Sequence, residues 1–238
     1  SNSEFIIFAE NNYPYIISDH NISNLTKHIN NNKKVIIGAT RLDGNKFYNS
    51  FLLLEEHNVK YFDKKILVPF GEFLPFRKYL KFMETVAGST DYYSGKIERL
   101  ITTNEGINIL PIICYEIIFN KILHNININK IDFLVNITND SWFGKRVGPY
   151  QHFYLTRLKS LIANKPLVRV SNNGISAIIN ENGKIINFSK LDEKTNINHT
   201  LKIKNKTYYN LIHNIFLIYL TFVFLIIIIF NSYKSNDK

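Results

Sequence analysis

Apolar residues recur along the chain in two rhythms, short runs that alternate or stay continuous and longer stretches at helical spacing. Phe5 to Phe8 is the first run and reads as a strand, closed by the turn signal Asn11-Asn12-Tyr13-Pro14. Ser23 to Asn30 has helical spacing. Val35 to Ala39 and Phe47 to Leu54 read as two strands of a hairpin turning at Asp43-Gly44. Two prolines and a glycine make Tyr61 to Phe76 a structured loop, and Arg77 to Val86 predicts a short helix. Lys96 to Thr102 and Ile107 to Ile113 predict strands about Asn104-Glu105-Gly106. Tyr115 to Leu123 reads as a helix, Ile131 to Ile137 as a strand and Tyr150 to Asn164 as an amphipathic helix. Val168 to Val170, Ser176 to Ile179 and Lys184 to Phe188 predict strands, the last two joined by Glu181-Asn182-Gly183. Strands interleaved with helices indicate an α/β fold.

The pattern changes at Lys190. From there to Lys206 the chain is polar, and from Leu211 to Phe230 it is almost continuously apolar with no formal charge. A bilayer core of ~30 Å needs about 20 such residues as a helix. The expected division is an α/β domain over 1–206, a membrane helix over 207–230 and a polar tail over 231–238. Lys234 and Lys238 favour a cytoplasmic tail, with the bulk of the chain on the outer side. At the other end the chain starts at Ser1, its single methionine is Met83, and it enters an apolar strand at once. Further sequence is therefore expected upstream.

Composition adds three constraints. The 45% hydrophobic and 20% charged residues are globular values, which sets aside disorder. The net charge of +10 comes from dispersed Lys and Arg without a recognition motif. Contact with anionic lipid headgroups, or a solvated basic surface, fits better than nucleic acid binding. One cysteine excludes an internal disulfide.

That cysteine, Cys114, follows a strand and precedes the helix predicted from Tyr115. A helix N-terminus there lowers a thiol pKa and holds an oxyanion, which suits a nucleophile; a buried structural cysteine is the other reading. Glu10 follows its own strand, where α/β sheets place functional groups. Glu72 lies in the apolar loop Leu67-Val68-Pro69-Phe70-Gly71-Glu72 and needs a partner, for which Lys64 is available. The seven histidines are scattered, and no HExxH, Walker loop, GxGxxG or GxSxG elbow is present. No metal or cofactor is expected.

Glu, Lys and Cys in this order resemble the nitrilase superfamily. The wording of the motifs is similar to one branch of it, the apolipoprotein N-acyltransferases. Lys64 to Pro75, KKILVPFGEFLP, resembles its lysine loop, and Cys114-Tyr115-Glu116 its nucleophile motif. Asn139-Asp140-Ser141-Trp142-Phe143-Gly144, Gly148-Pro149-Tyr150-Gln151-His152 and Arg169 to Gly174 (RVSNNG) resemble its later signatures. The first position departs, with Phe8-Ala9-Glu10 in place of Trp-Pro-Glu, and Pro14 standing where a following proline is expected.

The resemblance implies an αββα sandwich followed by one membrane helix, with the catalytic triad Glu10, Lys64 and Cys114. Glu72, Tyr115 and Glu116 would support it. It also implies transfer of an acyl chain from a phospholipid, through a Cys114 thioester, to the α-amine of a diacylglyceryl-modified apolipoprotein. The setting would be the periplasmic face of a bacterial inner membrane. The family carries several membrane helices and one catalytic-domain strand upstream, and the chain is expected to need them. Phe73, Phe76, Phe82, Trp142 and Phe143 line an acyl-chain entrance or pack in the core. Two other readings stand beside this: a nitrilase-type amidase, or an inactive fragment of the acyltransferase.

Overall fold

A first sheet forms around the hairpin that Asp43-Gly44 predicts. The computed structural model describes residues 4–18, 21–27, 29, 32–87, 90–124, 126–202 and 218–226. Strands β1 (Phe5–Ile7) and β2 (Ile17–Ser18) both run parallel to β3 (Lys34–Asp43). β3 turns into β4 (Lys46–Glu55), which pairs antiparallel with β5 (Asn58–Asp63). Asp43 pairs with Lys46, so the turn is the two residues Gly44-Asn45, and Gly44 takes the left-handed φ of +58° that such a turn requires.

The second sheet contains β6 (Ile101–Thr102), β7 (Asn108–Ile113), β8 (Phe133–Thr138), β9 (Leu167–Ser171), β10 (Ala177–Ile179) and β11 (Ile185–Phe188), in the order β11-β10-β9-β8-β7-β6. Its centre, β7-β8-β9, is parallel and its flanks are antiparallel. Parallel strands covered on both faces read as continuous apolar runs, and Leu110 to Ile113 and Phe133 to Val135 do so. Ile109, Ile113, Val135 and Ile137 point one way, into a core shared with Ile36, Phe51, Leu53 and Phe62 of the first sheet. Leu110, Ile112 and Leu134 point the other way, against Phe153 and Ala163 of the crossover helix.

Among the described residues up to 202 the α-helices are α1 (Glu84–Ala87), a single turn, and α2 (Gly148–Ala163), which carries β8 into β9. Pro149 in the first turn of α2 and Asn164, left-handed at its end, bound it as their backbone preferences dictate. His152, Thr156, Lys159 and Ala163 recur at helical spacing and are buried on one face.

Layering is thus sheet on sheet with α2 outside the second sheet. The helical layer expected over the first sheet is thinner than an αββα sandwich implies. Among the described residues it is the 3-10 turn Ile22–Thr26, whose Ile22 and Leu25 cover Ala39, Leu52 and Leu54. Asn and β-branched residues there are weak helix formers. The helix expected from Tyr115 is two 3-10 turns, Cys114–Ile118 and Asn120–Leu123, so no extended helix follows the cysteine. Only Ile101–Thr102 of the strand expected from Lys96 is formed, and the expected loop from Tyr61 starts inside β5. Among the described residues no helix is long and apolar enough to cross a membrane. The span expected over 207–230 lies mainly outside them; its residues 218–226 are helical, with Ile218, Phe222 and Phe224 exposed.

Candidate active site

Three strand ends bring Glu10, Lys64 and Cys114 to one rim. β7 finishes extended at Ile113, and Cys114 then reverses the backbone with φ +49°. A non-glycine residue there costs about 1–3 kcal/mol and persists only where the surroundings hold it. The turn aims the thiol at the end of β8, where Sγ lies 3.9 Å from the Asn139 carbonyl oxygen. Glu10 follows β1 before a second left-handed residue, Asn11 at φ +48°. The bend rests on β3 at Gly38, where an added Cβ would lie 2.6 Å from Glu10 Cα and from Asn11 N. A side chain at 38 would therefore displace the carboxylate. Lys64 follows β5, its backbone N–H held by the Asn49 carbonyl at 2.8 Å.

All three side chains are buried. Glu10 Oε1 accepts from Asn49 Nδ2 at 2.7 Å and Oε2 from the Asn139 N–H at 2.8 Å. Lys64 Nζ lies 2.8 Å from Glu72 Oε1 and 3.7 Å from Glu10 Oε1. Asn49 Nδ2 also donates to Glu72 Oε1 at 2.8 Å, and Glu72 Oε2 accepts from the Val68 N–H at 2.8 Å. Two carboxylates can only accept, so the Asn49 amide has one workable orientation, with its nitrogen towards both.

The electrostatics differ from the expectation for a helix-activated thiolate. Burial, reinforced by the Glu10 charge, pushes the Cys114 thiol up to about 12, while the Lys64 ammonium opposes. The short turn after Cys114 supplies no helix dipole of consequence. Burial also raises Glu10, against the pull of Lys64 and the hydrogen bond from Asn49. Lys64 is raised although burial alone would lower it, because Glu10, Cys114 and Glu72 all favour its charge. The surroundings thus hold the thiol towards its neutral form and the ammonium towards its charged form, and raise the proton affinity of the Glu10 carboxyl. Such a set can take a proton from sulfur as sulfur attacks, and the ammonium can receive negative charge developing on oxygen.

Glu116, expected as a supporting residue, is fully buried and receives five donors. Arg99 forms a bidentate pair with it, at 2.6 Å and 2.7 Å. Its Oε1 also accepts the Lys65 and Ile66 N–H groups at 2.9 Å and 3.1 Å, and its Oε2 the Ile113 N–H at 3.0 Å. Lys65 adjoins Lys64 and Ile113 adjoins Cys114, so one carboxylate ties both reacting segments together. Tyr115 is half-buried, its ring against Phe119 at 5.6 Å and Phe143 at 6.5 Å. Phe76, Phe82 and Trp142 are exposed, whereas Phe73 and Phe143 are half-buried.

Sequence reasoning missed Asn49 and Arg99. Asn49 had a signal: it shares an inward register with Phe51 and Leu53 on β4, where an amide needs a polar partner. Arg99 had none, since it lies in irregular chain between β5 and β6. Among the described residues no group of three or more His, Cys, Asp or Glu is placed to hold a metal ion.

Comparison with known proteins bears on this geometry at two levels. Residues 9–205 match the carbon-nitrogen hydrolase family. The apolipoprotein N-acyltransferase of Rickettsia typhi is 40% identical over 161 residues, covering 66% of this chain and 32% of that protein. That of Rickettsia bellii is 35% identical over 219 residues, covering 90% of this chain and 42% of that protein. The chain thus spans well under half the length of these relatives. Among solved structures, Nit3 of Saccharomyces cerevisiae, a member of the nitrilase superfamily, superposes with a TM-score of 0.59 at 18% identity, over 81% of this chain and 74% of that one. Glutamine-dependent NAD+ synthetase of Acinetobacter baumannii gives 0.61 at 15% identity, over 82% and 38%. At these identities the structures establish a shared fold.

Proposed function

The chain belongs to the carbon-nitrogen hydrolase family, and we propose that it is the catalytic portion of an apolipoprotein N-acyltransferase with Cys114 as nucleophile. The observation that carries the reading is the meeting of a buried thiol, a carboxylate with raised proton affinity and a firmly charged ammonium at one rim. The sequence relatives at 35% and 40% identity carry that activity in their names. Membrane attachment through residues 207–230 and a site on the periplasmic side belong to the same proposal. The exposed Phe76, Tyr79 and Phe82 on the loop after Glu72 suit a lipid-facing entrance.

In the first half-reaction Glu10 takes the thiol proton while Sγ bonds to the ester carbonyl carbon of a phospholipid. The carbonyl electrons move onto oxygen, where Lys64 and the Tyr115 N–H stabilise the charge. Collapse breaks the carbon–oxygen bond. The leaving alkoxide takes the proton back from Glu10 and departs as lysophospholipid, leaving a thioester. In the second half the α-amine of a diacylglyceryl-modified N-terminal cysteine bonds to the thioester carbon. The carbon–sulfur bond breaks, Glu10 relays the amine proton to sulfur, and an amide results. Because the resting thiol is neutral, proton transfer accompanies attack rather than preceding it. Exclusion of water protects the thioester, which the burial of all three groups favours.

The test is the intact mass of the detergent-purified protein after incubation with phospholipid vesicles, beside Cys114→Ala. One acyl group gained, removed by hydroxylamine and absent from the variant, is the expected result. No adduct, with ammonia released from simple amides, would replace the reading with an amidase.

A further inference from the structure

Three sequence signatures take no part in the proposed chemistry: Asn139 to Gly144, Gly148 to His152 and Arg169 to Gly174. They sit on three different elements, yet their side chains close into one buried cluster beneath the nucleophile. His152 Nε2 lies 3.3 Å from the Cys114 carbonyl oxygen. His152 Nδ1 lies 2.8 Å from Asp140 Oδ1, and Arg169 Nη2 donates to Asp140 Oδ2 at 2.7 Å. Arg169 is anchored by Asn136 Oδ1 at 2.6 Å, Thr156 Oγ1 at 2.9 Å and the Ile175 carbonyl at 3.2 Å. Thr138 Oγ1 donates to Asp140 Oδ1 at 3.1 Å. Gly174 makes room: a Cβ there would meet Asp140 Oδ2 at 1.8 Å. His152, Asp140 and Arg169 are all buried.

A carbonyl oxygen only accepts, so a hydrogen bond between His152 and Cys114 requires the hydrogen on Nε2. Asp140 Oδ1, 2.8 Å from Nδ1, also only accepts, so the charged ring donates to both neighbours; in the neutral ring with its hydrogen on Nε2, Nδ1 instead accepts from Arg169 Nη2, 3.2 Å away. The hydrogen bond to Cys114 is present in the charged ring and in this neutral tautomer. Its acceptor belongs to the residue whose backbone is left-handed at φ +49°, a conformation that has to be held from outside the turn.

We propose that His152, clamped by Asp140 and Arg169, is the positioning residue of the nucleophile: its Nε2–H holds the Cys114 carbonyl and so fixes the turn that aims the thiol at Glu10. The proposal deepens the acyltransferase reading and rests on Cys114 as its nucleophile, but not on the identity of the acyl donor or acceptor.

The experiment compares His152→Gln with His152→Asn in the full chain. Glutamine places its amide N–H near the Nε2 position, towards Cys114; asparagine reaches only the Nδ1 position, towards Asp140. Cys114 is the single cysteine, so iodoacetamide reports on this thiol alone, whatever its natural substrate. Alkylation rate against pH, acyl-adduct formation and thermal melting are read on each protein. The expected result is cooperative melting for both. His152→Gln should stay within about threefold of the unsubstituted chain, and His152→Asn should lose about tenfold or more in acylation with a displaced alkylation profile. Equal rates in the two variants, or a folded but slow His152→Gln, overturn the proposal. Failure of both to melt cooperatively assigns His152 to stability alone and overturns it too. Absence of acylation in the unsubstituted chain, with the two alkylation profiles still differing, would count against the acyltransferase reading while supporting the positioning role.

Discussion

Glu72 Oε1 lies 2.8 Å from Lys64 Nζ, closer than Glu10 Oε1 at 3.7 Å. The ammonium is therefore committed mainly to Glu72, and Glu10 keeps the freedom to take a proton. Glu72→Gln removes the charge while retaining shape, so Lys64 turns towards Glu10 and makes it a weaker base. The acylation rate should fall about a hundredfold with little change in KM, read by single-turnover adduct formation. An unchanged rate would reduce Glu72 to a structural role.

The local pattern made much of this legible and left the rest hidden for physical reasons. Phe5 to Phe8, Ile107 to Ile113 and Ile131 to Ile137 have strong patterns and are strands to within a few residues. Glu10 and Cys114 follow such strands, whereas Lys64 follows β5, which the pattern did not show. The thiol's electrostatics were not legible, because the helix that would have lowered its pKa depended on Tyr115 to Leu123 winding continuously. The side chain of Glu116 instead folds back onto the Ile113 N–H and holds a short 3-10 turn. β2 and β5 were missed because their partners, β3 for the one and β4 for the other, decide them, which local periodicity cannot report.

Arg99 and Glu116 form a buried pair of an uncommon kind, because the carboxylate also receives three backbone N–H groups. Strong hydrogen bonding to Arg99 and Ile113 holds Glu116 below the usual carboxylate range despite burial. Arg99→Met should cost about 3–5 kcal/mol by leaving Glu116 unpaired in the interior. Many buried pairs can be replaced on both sides by apolar residues at little cost. Here Arg99→Met with Glu116→Met should remain destabilised, since Lys65, Ile66 and Ile113 would lose their acceptor. Urea unfolding of the single and double variants checks this; recovery of full stability in the double variant would contradict the tie.

Asp140 links stability to acid pH. Its carboxyl is held down to about 2, against burial, by the contact with His152 Nδ1 and the charge of Arg169. A depressed carboxylate contributes stability that is present above its ordinary value of 3.8 and lost as pH falls through about 2. The shift corresponds to roughly 2 kcal/mol. Asp140→Asn should be less stable than the unsubstituted chain at neutral pH and should lose less further stability between about pH 4 and 2. Urea midpoints across that range give the two slopes, and equal slopes would remove Asp140 from the acid transition.

Glu10 affects the thiol in two opposing ways, and one substitution separates them. Its negative charge is, after burial, the next cause of the raised Cys114 pKa. Replacing it with glutamine removes that charge and leaves Lys64 beside the sulfur, so the Cys114 pKa should fall below about 12. At a fixed pH below that value each unit of decrease enlarges the thiolate fraction about tenfold. Iodoacetamide needs only the thiolate, so Glu10→Gln should be alkylated faster than the unsubstituted chain at the same pH. Acyl transfer also needs a group to carry the proton from sulfur to the leaving alkoxide, and glutamine cannot carry it. Acyl-adduct formation should therefore fall by about a hundredfold or more. Opposite changes in the two rates identify Glu10 as the base. Parallel losses would mean that Glu10 chiefly holds the Asn139 backbone in place, and parallel gains would mean that another group moves the proton.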